Sequence, residues 1–183
     1  MNPRRFELLE QARRALPTNV KVELSGDAIV MQASPPALHQ RNLAIIQRQF
    51  DAHCPEGFFG SGNSDIATER VGKVRNPDLT YLPDAAVDLP QHDVPAELAL
   101  IAVELVSPSN PENNWVGKLR DYPVMGVPLY LIVDPRVKTV TLFSEPENGR
   151  YRCRRDANFG ETVHIPEPFG FALRTESLLP ATD

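Results

Sequence analysis

Apolar positions change period along this chain, and the changes mark its elements. Between residues 5 and 16, Phe6, Leu8, Leu9, Ala12 and Leu16 fall at helical spacing until Pro17-Thr18-Asn19, which predicts a first helix. Residues 20–24 and 28–32 flank Ser25-Gly26-Asp27 and predict a hairpin. Ser34-Pro35-Pro36 then breaks the strand and caps a second helix over about 37–53, with Leu38, Ile45, Ile46 and Phe50 inward; Gly57, Gly60 and Gly62 mark the loop after it. Strands follow near 64–69, over 78–82, and in an apolar run closing at Val106. Asn110-Pro111 opens a helix that runs to about Met125 and stops at Gly126, and Pro123 near its end predicts a kink or an early finish. A strand over 129–133, a hairpin of 139–144 with 151–155, and shorter strands to Leu173 complete the order. Such an order fits an α/β (α+β mixed) fold, a mixed central sheet with helices on its faces.

Within the apolar run from Leu98 to Val106, one residue is charged: Glu104. Apolar residues on both faces predict a central covered strand, where an ionised carboxylate costs several kcal/mol unless something pairs with it. Upstream, Asn76-Pro77-Asp78 opens a short strand and sets another acid at its edge. Two acids at neighbouring strand ends point to a metal.

Length and composition change this picture little. A chain of 183 residues with 42% apolar and 23% charged residues can bury one good core, and we read residues 1–183 as a single domain. No segment approaches the ~18 apolar residues of a membrane span, and no secretory signal pattern opens the chain, so the expected location is cytoplasmic, away from any membrane. Cys54 and Cys153 show no zinc spacing with His39, His53, His92 or His164. A net charge of -5 argues against a general phosphate-binding surface, although 15 of 19 cations are arginine, clustered at Arg4-Arg5, Arg13-Arg14 and Arg150 to Arg155.

Several segments together carry a family likeness. They are Ser34-Pro35-Pro36 with His39, Pro77-Asp78, Val103-Glu104-Leu105-Val106-Ser107-Pro108, Lys118 and Tyr122, Gly126-Val127-Pro128, and Val133-Asp134-Pro135, continued by Gly149-Arg150-Tyr151. In this order over residues 34–135 the chain resembles the restriction endonuclease-like proteins of the PD-(D/E)XK nuclease superfamily.

The resemblance implies a restriction endonuclease-like core with extra antiparallel hairpins, and a metal-dependent nuclease hydrolysing phosphodiester bonds in DNA. Asp78 and Glu104 would hold Mg²⁺ (or Mn²⁺), whose hard charge suits oxygen ligands. The superfamily's lysine two residues after the glutamate is absent, since that position is Val106. Lys118 on the following helix matches instead. At 100° per residue Trp115, Leu119 and Tyr122 share one face, with Lys118 at its margin and Asp121 pointing away. His39 and Tyr122 are accessory candidates, and Asp134 before Pro135 reads as a turn residue. Nucleases of this kind commonly pair, so a homodimer is expected, with the apolar segment Phe169 to Leu173, Leu178 and Leu179 as candidate surface or as a strand closing the core. The missing lysine and the acidic charge leave an alternative open: a catalytically inactive nuclease-fold binding or regulatory module.

Overall fold

The computed structural model describes residues 3–16, 21–25, 28–32, 36–62, 64–69, 71–89, 93–108 and 110–181. Ser34, Pro35 and His92 lie outside the described residues. Two helices open the chain, α1 (Pro3–Ala15) and α2 (Ala37–Asp51), on either side of an antiparallel hairpin, β1 (Lys21–Ser25) and β2 (Ala28–Gln32). The hairpin joins three short strands, β4 (Ile66–Thr68), β5 (Lys73–Arg75) and β7 (Val94–Pro95), in a five-stranded sheet ordered β2-β1-β5-β4-β7. Leu9 of α1 packs there on Val22, Leu24 and Val74.

The larger sheet holds β3 (Phe58–Ser61), β6 (Leu79–Pro83), β8 (Ala102–Leu105), β9 (Tyr130–Asp134), β10 (Thr139–Glu147) and β11 (Arg150–Asn158) in the order β11-β10-β9-β8-β6-β3. Only β8 and β9 run parallel, and parallel neighbours require a crossover, here the helical segment before β9. Side chains alternate across a strand. Val103 and Leu105 therefore join a core with Ile46 and Phe50 of α2, while Ala102 and Val106 join a second core with Tyr122, Met125 and Tyr130 on the opposite face. Glu104 shares the parity of Ala102 and Val106 and points toward the crossover helix.

The crossover departs from the expected regular helix. Helical from residue 111, it widens into a π-helical stretch over Asn113–Lys118 before α3 (Leu119–Met125). Pro123 is tolerated inside α3, which finishes two residues later at Met125 and is capped by Gly126, in the left-handed region at φ 90°. The expected loop at Gly60 is strand β3, and β5 was not expected at all. Phe169, Phe171, Leu173 and Leu178 are buried in the core, with β12 (Thr162–Ile165) and β13 (Phe171–Arg174) paired over it; Leu179 alone of that segment's leucines is exposed. The C-terminal segment closes the core and is not an open pairing face.

Candidate active site

Antiparallel pairing of β6 with β8 brings the start of one strand beside the end of the other, and this places Asp78 next to Glu104 in the sheet. The backbone N–H of Leu105 donates to Asp78 Oδ2 at 2.9 Å, fixing that carboxylate against the end of β8. His39, in the first turn of α2, sets Nε2 at 3.1 Å from the same oxygen, within ion-pair distance but without the alignment of a hydrogen bond. Both side chains are about nine-tenths buried.

Glu104 is 2% exposed, with protein donors in place of water. Lys118 Nζ lies 2.6 Å and the Tyr122 hydroxyl 2.7 Å from Oε1, and Asn114 Nδ2 donates to Oε2 at 3.1 Å. The partner that Glu104 needed is therefore the lysine, which makes the pair an ion pair before any metal is considered. Lys118 is itself 1% exposed and has three acceptors: Glu104, Glu23 Oε1 at 2.9 Å and the Asn76 carbonyl at 3.2 Å. An ammonium has three N–H groups, so this geometry satisfies it. Burial pushes the lysine pKa down, but Glu104, Glu23 and Asp78 outweigh it and hold the pKa above lysine's ordinary value. Burial and the adjacent Glu104 raise Tyr122 well above its ordinary value, so its hydroxyl stays a donor.

Asn114 and Lys118, four positions apart in the π-helical stretch, reach the same carboxylate. In a π-helix the repeat is i→i+5 and not i→i+4, and such stretches recur at functional sites. Buried positions on this segment are Asn113, Asn114, Lys118, Asp121, Tyr122, Pro123 and Met125, of which Asn114, Lys118, Asp121, Tyr122 and Met125 share one face at ordinary helical spacing. A wheel centred on Trp115, Leu119 and Tyr122 misplaces one residue: Asp121 does not point away but is fully buried. It accepts from Arg75 Nη2 at 2.5 Å and pairs with Lys73 Nζ at 2.7 Å. Burial opposes its ionisation, yet hydrogen bonds from Arg120 and Lys73 and the charge of Arg75 keep its pKa low.

Four further side chains belong to the site and were missed by sequence reasoning: Glu23, Arg75, Asn76 and Asn114. Glu23 of β1, fully buried, accepts from Arg75 Nη1 at 3.1 Å and from the Asn76 N–H at 2.9 Å. Burial works against its charge, but Lys118 and Arg75 prevail and lower its pKa. Asp134 takes the turn role expected of it, accepting from the N–H and guanidinium of Arg136 and from Trp115 Nε1. The arginines of β11 are exposed, and two of the four are locally paired, Arg152 with Glu147 and Arg154 with Asp156.

Among the described residues no three His, Cys, Asp or Glu side chains are grouped to enclose a metal ion. Mg²⁺ does not need such a cage, since it keeps waters and takes one or two carboxylates together with substrate phosphate. Asp78 and Glu104, two oxygen donors on adjacent strands, fit that donor chemistry. Among the described residues no helix is long and apolar enough to cross a membrane.

The mixed sheet flanked by helices is a nuclease-like fold. It is shared with a crystal structure described as a putative nuclease belonging to DUF820 from Anabaena variabilis, at a TM-score of 0.71 and 12% identity over 93% of this chain and 96% of that one. At that identity the likeness shows the fold. The chain belongs to the Uma2 family, described as putative restriction endonuclease, whose family model matches residues 5–176. No curated protein matches the sequence.

Proposed function

We propose that this protein is a metal-dependent nuclease that hydrolyses phosphodiester bonds in DNA, with Asp78 and Glu104 holding Mg²⁺ (or Mn²⁺) and Lys118 as the third member of the working set. The carrying observation is the contact between Lys118 Nζ and Glu104 Oε1 at 2.6 Å, where the residue two beyond the glutamate is the buried, apolar Val106. A metal held there would activate water and offset charge on the phosphate. Asn114 and Tyr122 fix the Glu104 carboxylate, and the Leu105 N–H fixes Asp78. His39, beside Asp78, is the group suited to pass a proton at that carboxylate. For Lys118 to touch substrate one acceptor must release it, and the longest and only uncharged one is the Asn76 carbonyl at 3.2 Å.

The saturation of Lys118 is also the observation that favours a second reading, a nuclease fold kept as a binding or regulatory module. Incubation of the protein with single-stranded DNA, duplex DNA and RNA, in Mg²⁺, Mn²⁺ or chelator, separates the two. We expect metal-dependent DNA cleavage that falls roughly 10²-fold or more in Glu104→Gln and Asp78→Asn. Retained binding without cleavage would establish the module instead. The proposed nuclease acts as a homodimer, a reading supported only by the advantage of placing two clefts on one duplex; light scattering giving a mass near 20.4 kDa would refute it.

A further inference from the structure

The N-terminal hairpin contributes to the site a side chain that the proposed chemistry does not require for metal or water. Glu23 is fully buried. Its Oε1 meets Lys118 Nζ at 2.9 Å and the Asn76 N–H at 2.9 Å, while Oε2 meets Arg75 Nη1 at 3.1 Å. Two of these contacts converge on one point, because the Asn76 carbonyl is the third acceptor of Lys118. Glu23 thus holds the ammonium directly and also holds the peptide segment that holds the ammonium. Asn76 lies two residues before Asp78, so the same carboxylate braces the approach to β6. Arg75 continues the brace to Asp121 on α3, one turn beyond Lys118.

We infer that Glu23 is a positioning residue of the active site, which fixes the Lys118 ammonium on Glu104 from the opposite side and makes the smaller sheet part of the nuclease machinery. For its effect on turnover the inference rests on the function proposed above; for the placement of Lys118 it does not. Glu23 touches neither of the proposed metal ligands among the contacts described, and it acts through the lysine. A carboxylate drawn back by one methylene keeps its charge inside the cluster and loses its reach, so Glu23→Asp separates position from charge.

Two measurements on Glu23→Asp and Glu23→Gln test this, with thermal melting as the control for folding. The first is the ¹⁵N-detected ammonium resonance of Lys118 in the metal-free protein, assigned by its loss in Lys118→Met. A buried ammonium with three acceptors exchanges protons slowly, and both Glu23 variants should speed that exchange at least several-fold. The second is DNA cleavage in Mg²⁺: a mispositioned catalytic group costs on the order of 10²-fold, so Glu23→Asp should lose kcat by about that factor with KM little changed. An unchanged Lys118 resonance in a folded Glu23→Asp protein overturns the inference, whatever the activity. So does a wild-type kcat in that variant, or a loss confined to KM. If the wild type cleaves no nucleic acid, the proposed function fails, while the ammonium measurement still decides whether Glu23 positions Lys118. Should Glu23→Gln fail to fold, Glu23→Asp carries both measurements, its charge being retained against Arg75.

Discussion

Lys118→Met isolates the electrostatics of the buried site. Methionine keeps most of the lysine stem's volume, so packing at a position 1% exposed is largely preserved and the change is the loss of the ammonium. Two carboxylates then lose direct partners, Glu104 at 2.6 Å and Glu23 at 2.9 Å. Removing one member of a buried ion pair costs about 3–5 kcal/mol, because the other charge stays behind uncompensated. Here the remaining donors moderate the loss: Glu104 keeps Tyr122 and Asn114, and Glu23 keeps Arg75 and the Asn76 N–H. The lower part of that range, about 3 kcal/mol, is therefore expected, a large share of the ~5–15 kcal/mol typical of a native protein. At roughly 2–4 °C per kcal/mol for a chain of this size, the melting temperature should fall by about 6–12 °C. Urea titration should show a lower midpoint at unchanged slope. Adding Glu104→Gln to Lys118→Met should restore part of the loss, because the stranded charge is gone. A loss under about 1 kcal/mol in Lys118→Met would refute the reasoning, since it would mean that the ammonium is not buried between two ionised acids.

Three further outcomes follow from the same geometry. The Lys118 pKa is raised in the fold, so its contribution is complete below the ordinary 10.5 and is lost as pH climbs above it; the alkaline limb of a melting-temperature profile should be steeper in wild type than in Lys118→Met. Glu23 and Asp121 are shifted the other way, so their contributions are present above the ordinary 4.5 and 3.8 and disappear as pH falls below these values; Glu23→Gln should flatten the acid limb of that profile. Gly126→Ala forces a Cβ onto a residue at φ 90°, where it also meets Glu97 at 3.4 Å, and should cost about 1 kcal/mol or more in urea titration without changing the slope.

What was legible in the sequence is most of the larger sheet, its edge strand β3 excepted, and the two acids where β6 begins and β8 ends. Both follow from local pattern: an apolar run interrupted once at Glu104, and a Pro-Asp step that starts the neighbouring strand. The pairing of β6 with β8 then needs only the usual adjacency of sequential strands. Lys118 was legible through resemblance and a helical wheel, and the same wheel misplaced Asp121 because it centred the buried face on Trp115, Leu119 and Tyr122, whereas the buried face runs through Asn114, Lys118, Asp121, Tyr122 and Met125.

Glu23 was illegible for a different reason. Along β1 it alternates with Lys21 and Ser25, while Val22 and Leu24 take the other face, and a polar row of that kind reads as the solvent side of a hairpin. Burial of that side depends on Arg75 and Lys118, one on a three-residue strand too short to show any period and the other in the π-helical stretch. A buried charge is recognised by what compensates it, and here the compensation comes from a second sheet and a distant helix. The two features hardest to read, the short strand β5 and the widened helix, are the two that bring Arg75 and Lys118 to Glu23. Asp78 and Glu104 could be named because each stands out in a local pattern, whereas Glu23 and Arg75 are marked only by contacts between elements distant in sequence.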